Sequence, residues 1–97
     1  MPGETVIAKE MGITHKEFFR NIPRIFDTDD FVLNDDGASI EDEGKSLNIT
    51  IAEEGQRRIA LIVLPVTHVT LTFRGYDENS ITKTVAAFDL AFQRGGG

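Results

Sequence analysis

The chain has no cysteine and no tryptophan, a single tyrosine, and only three prolines in 97 residues. Without cysteine there is no disulfide scaffold, no thiolate metal site and no cysteine nucleophile. The same absence fits a reducing compartment, so the expected location is cytoplasmic. Long apolar runs are missing as well: none approaches the roughly 18 to 20 residues that cross a bilayer. The opening MPGETVIAKE has neither a basic start nor an apolar core, and it does not read as a signal peptide. Positive charge is short, with 10 Lys and Arg against 16 Asp and Glu, a net charge of −6. Phosphate contacts need cations, so this balance argues against a nucleic-acid partner.

What remains, 40% hydrophobic and 27% charged residues, is the composition of an ordinary globular domain. Its centre is RRIALIVLPVTHVTLTFR, from Arg57 to Arg74. The stretch is rich in β-branched residues and interrupted by Pro65, so it is expected to form two strands joined at a bend. In the second, Val69, Leu71 and Phe73 alternate with His68, Thr70 and Thr72, the period of a strand with one buried face. Upstream, Ala38 to Glu41 and Ser46 to Ala52 are expected to pair through a turn at Asp42 to Lys45 that contains Gly44. Leu47, Ile49 and Ile51 again alternate with polar residues.

Two helices frame these strands. Thr14 and Glu17 are spaced as a capping box, with Ile13 and Phe18 as a hydrophobic staple, so a helix is expected from His15 to about Ile22, stopped by Pro23. Phe18, Phe19 and Ile22 should be buried, with Ile25 and Phe26 packing in the turn that follows. After a turn at Gly75 to Ser80, Ile81, Val85, Phe88 and Phe92 recur at helical spacing to about Arg94, and Gly95 stands where a C-cap glycine would. The expected fold is α+β: a four-stranded antiparallel meander with an N-terminal and a C-terminal helix on one face, in the order α-β-β-β-β-α. Residues 1–12 are expected to be a flexible N-terminal arm and 13–97 a single domain.

The acidic stretch Asp27 to Gly37 lacks calcium-loop spacing, because Val32 and Ala38 stand at the sixth and twelfth positions. A solvated loop carrying a short strand or anchor at Phe31 to Leu33 fits better. His15 and His68 have no third ligand to make a metal centre, and the serines have no nucleophile elbow. No catalytic residue, metal or cofactor is expected. A candidate interaction surface is the sheet face away from the helices, with Asn48, Thr50, Ile62, His68, Thr70 and Thr72, apolar in its middle and polar at its rim. Arg20 and Arg24 form a candidate basic patch. The expected function is a non-enzymatic interaction domain whose partner is another protein or a second copy.

The final Gly95, Gly96 and Gly97 resemble the diglycine tails of ubiquitin-like proteins and bacterial sulfur carriers. That resemblance implies an alternative function, a carrier activated at its C-terminal carboxylate. The helix start T-x-x-E-F-F-R at Thr14 to Arg20 and the ending F-D-x-x-F-Q-R-G-G-G from Phe88 are similar to those of a group of small bacterial proteins with no assigned activity. This second resemblance implies family membership without a mechanism.

Overall fold

A computed structural model describes residues 3–25 and 31–92, apart from the side chain of Asp42. Phe26, residues 27–30 of the acidic stretch, and Arg94 with the candidate tail Gly95 to Gly97 lie outside the described residues. The fold is α+β and mostly strand: β1 (Glu4–Met11), α1 (His15–Asn21), a 3₁₀ turn (Ile22–Ile25), β2 (Val32–Asn34), β3 (Gly37–Asp42), β4 (Lys45–Ile51), β5 (Gly55–Ile59), β6 (Ile62–Arg74) and α2 (Glu78–Ala91).

All pairing is antiparallel, in the order β1-β6-β4-β3-β2, with β5 bound to β6 away from that path. Six strands therefore replace the expected four, a strand rather than a helix comes first, and the sheet is not a meander. The additions have a physical origin. β6 is a central strand, and pairing it only with β4 would leave a row of backbone donors and acceptors open. Residues 4–11, expected within a flexible arm, fill that edge: Ile7 sits across from Leu71 and Met11 across from Thr67. At the other side Val32 to Asn34 add a short edge strand on β3.

The turns follow their sequences. Glu43 and Gly44 both have positive φ, 50° and 84°, the signature of the two-residue hairpin turn expected around Gly44. Thr14 caps α1 as a complete capping box, its Oγ1 accepting from the Glu17 amide at 3.1 Å while its own N–H donates to Glu17 Oε1 at 3.1 Å. Asp77 caps α2 by accepting from the Ser80 amide at 2.7 Å, so that helix begins inside the expected turn. It also ends early, with Phe92 rather than Gly95 as its C-cap.

One face of the sheet carries the core. Leu47, Ile49, Ile51, Val69, Leu71 and Phe73 are buried there beneath Phe18, Ile22 and Phe88 of the helical layer. Phe92 joins the two helices, stacking 5.9 Å from Phe18 and tilting 4.8 Å from Phe88. Lys9 on β1 reaches Asp89 on α2 at 2.9 Å.

The largest departure lies in the apolar run itself. The chain reverses at Ala60 and Leu61, between the paired residues Ile59 and Ile62, and Pro65 lies inside the continuous strand β6 instead of at a break between strands. Residues joined by a two-residue turn exchange ladder bonds, and bonded and unbonded pairs then alternate, so Gln56 and Pro65 face each other in an unbonded pair. On the opposite edge β1 stops at Met11, beside Thr67, short of Pro65. The missing N–H of Pro65 leaves no ladder bond unmade on either side. Residues 55–66 thus form a two-stranded ribbon beyond the end of the main sheet, and the molecule measures 48 Å along its long axis against 28 and 27 Å across.

A projecting ribbon as candidate functional site

Register alternation sorts the ribbon's side chains. Ile59, Ile62, Leu64 and Val66 share the face that continues the sheet surface opposite the helices, with Arg57 across from Leu64. Val63 and Pro65 lie on the other face, across from Arg58 and Gln56. Neither face is covered. Every residue of β5 is exposed, and Ile59, Ile62, Val63 and Leu64 keep 42 to 59% of their surface in water. Leu61, at the tip, is 99% exposed. Isolated two-stranded ribbons are marginal in water, and apolar side chains left in a contiguous patch mark association surfaces.

The tip is strained. Ala60 has φ of 52°, the left-handed region that an L residue enters at a cost, while Leu61 does not share it. A positive φ at only the first central residue is the type II′ pattern, which glycine ordinarily fills.

The root of the ribbon is polar and well tied. Glu10 of β1 reaches Arg57 at 2.8 Å and His68 at 3.3 Å. The Arg57 guanidinium, by hydrogen bond and charge, holds the Glu10 carboxyl below its ordinary range, with His68 contributing less. His15 clamps the loop that feeds β5: its amide donates to Glu54 Oε1 at 2.8 Å and its ring Nε2 donates to the Ala52 carbonyl at 2.7 Å. These groups edge a shallow recess shared by Glu10, Glu53, Gln56, Arg57 and His68. No three His, Asp or Glu among the described residues are grouped to hold a metal ion.

The candidate surface read from the sequence is brought together in part. Asn48 pairs with Thr72 and Thr50 with Thr70, all on the face away from the helices, and His68 lies beside them next to Glu10. Ile62 shares their parity but sits out on the ribbon. Ala60, two residues before Ile62, is in the turn. The surface is therefore polar across the main sheet and apolar at one end, the reverse of an apolar centre with a polar rim. Arg20 and Arg24 are exposed on the helical layer, in the last turn of α1 and in the 3₁₀ turn. The residues that sequence reasoning missed are Ile59, Leu61 and Val63. Their signal was a turn hidden in an unbroken apolar run with no Gly, Asn or Asp to mark it.

In comparisons with family models, with characterised proteins and with solved structures, the chain shows no match. No helix among the described residues is long and apolar enough to cross a membrane.

Proposed function

We propose that this chain is a non-enzymatic protein-interaction domain whose working part is the β5–β6 ribbon. One observation carries the reading: five large apolar side chains between Ile59 and Leu64 are exposed together on a ribbon bare on both faces. The neighbouring sheet face, with Asn48, Thr50, Thr70 and Thr72, serves as its polar margin. Two-stranded ribbons gain stability when another element packs on them, so binding and ordering of the ribbon would be coupled. The membership suggested by the T-x-x-E-F-F-R and F-D-x-x-F-Q-R-G-G-G segments is compatible with this role and adds no activity to it.

The test places a photocrosslinking residue at Leu61, or at Thr50 on the polar face, in cells making the protein. Protein adducts formed from position 61 and not from 50 are expected. Adducts from 50 alone, or from neither position, overturn the reading.

A further inference from the structure

Resting on that reading, we propose that the partner of the ribbon is a second copy of this chain, the two copies meeting end to end about a two-fold axis so that each ribbon lies along the other molecule's ribbon root. Three features of the molecule point to this occupant. First, the exposed apolar residues run down the ribbon, from Leu61 at the tip to Val63 and Leu64 toward the root, so the occupant lies alongside the ribbon and does not merely cap its end. Second, among the described residues β5 pairs only with β6, and residues 62–66 of β6 have no partner on their other edge, past the end of β1, so both ribbon edges offer backbone groups to another ribbon.

Third, the charges are complementary within one chain. Arg57 and Arg58 are the ribbon's only charged residues, so the chain's net −6 leaves −8 for everything outside residues 55–66. Arg57 is engaged by Glu10, whereas Arg58 has no ion pair among the described residues. The end of the sheet from which the ribbon springs is acidic and exposed at Asp35, Asp36, Glu53 and Glu54. Asp36 belongs to that end because its carbonyl accepts from the Ile51 amide at 2.8 Å, next to where the ribbon begins. Ribbon and acidic end thus lie together, and a two-fold axis beside them sets each Arg58 over the other copy's carboxylates. Both contacts are then satisfied in two copies, and the assembly closes without growing.

Sedimentation equilibrium of the full-length chain, from micromolar to near-millimolar protein, reads the association. A concentration-dependent dimer is expected. Leu61→Asp, which alters a side chain almost wholly in solvent, should leave the thermal transition of dilute, monomeric protein unchanged and weaken the dimer at least roughly tenfold, as a charge set into an apolar contact does. Arg58→Glu alone, and Asp35→Arg with Glu53→Arg in one chain, should each do the same, and an equimolar mixture of those two variants should dimerise again.

A wild-type chain that stays monomeric throughout overturns the proposal. So does a dimer insensitive to Leu61→Asp, or a variant mixture that fails to recover association. If the chain is monomeric while Leu61 still crosslinks to another protein, the second copy is excluded and the ribbon keeps its proposed role. If Leu61 crosslinks to nothing, the role falls as well.

Discussion

Glu10 on β1 and Arg57 on β5 stand 2.8 Å apart, a charged tie between the edge strand of the sheet and the root of the ribbon. Arg57 lowers the Glu10 carboxyl below its ordinary range. A carboxylate depressed in the folded state contributes its stabilisation above its unfolded value, about 4.3, and loses it as the pH falls through the folded value. Neutral pH therefore leaves the tie intact, and acid opens it. The carboxyl carbon of Glu10, followed by NMR through an acid titration, should show a midpoint below that of an ordinary glutamate. In Arg57→Ala the midpoint should rise. An unchanged midpoint would mean that the pair does not persist in solution.

Gly37 shows where the fold admits no side chain. Its φ is 156°, and a Cβ built on it would stand 1.8 Å from the carbonyl oxygen of Ile49. That oxygen belongs to the backbone of β4, a strand paired on both sides, and cannot swing aside as a side chain would. Gly37→Ala should cost roughly 3 kcal/mol or more, the range reached when backbone is forced apart. Gly44→Ala makes the control, because a Cβ there meets nothing within 4 Å. Its cost should stay nearer 1 kcal/mol, that of the left-handed backbone alone. Equal denaturant midpoints for the two variants would refute the contrast.

Much of this architecture could be read from the residues, and the failures share one cause. The capping box at Thr14 and Glu17, the Gly44 hairpin, and the alternation in β4 and the second half of β6 are local signals, and each element formed where expected. The ribbon turn has no local signal. Ala60 and Leu61 interrupt an apolar run that favours extended backbone throughout, and only the pairing of Ile59 with Ile62 fixes where the chain reverses. Pro65 then misled by appearing to supply the missing break. For residues 1–12 a flexible arm is favoured over an added edge strand because Val6, Ile7 and Ala8 are too few to announce one. The open edge of β6, some 60 residues away in the chain, is what recruits them. The candidate surface inherited the first error: once Ile62 moves onto the ribbon, the sheet face beside it is left polar.

Thr67 is a buried polar side chain in the core, with no exposure, and its Oγ1 donates to the Ile13 carbonyl at 2.8 Å. The bond ties β6, where the ribbon begins, to the residue just before the α1 cap. Thr67→Val keeps the shape and leaves the Ile13 carbonyl without this donor, at a cost of about 1–3 kcal/mol. In a domain of this size that lowers the melting temperature by roughly 4–8 °C per kcal/mol. Thr67→Ser keeps the bond and loses a methyl group, so it should cost about 1 kcal/mol. A valine variant as stable as wild type would show that the hydroxyl contributes nothing.

The strain at Ala60 can be separated from the stability of the body. Left-handed backbone costs an L residue about 1–2 kcal/mol, and glycine gives back about 0.5–1 kcal/mol through the freedom it adds to the unfolded chain. Ala60→Gly should therefore stabilise the ribbon by a net of about 0.5–1 kcal/mol. The main sheet and helices carry the cooperative core, whereas the ribbon is exposed on both faces and opens locally at lower cost. The gain should consequently be absent from the global melting transition. It should appear as about two- to fivefold slower hydrogen exchange at the Arg57, Ile59, Ile62 and Leu64 amides, which lie in the bonded pairs of the ribbon. Amides of β4 should exchange as before. Faster exchange in the ribbon of the glycine variant would mean that Ala60 is not held at positive φ. A change spread equally over β4 would mean that ribbon and body open as one unit.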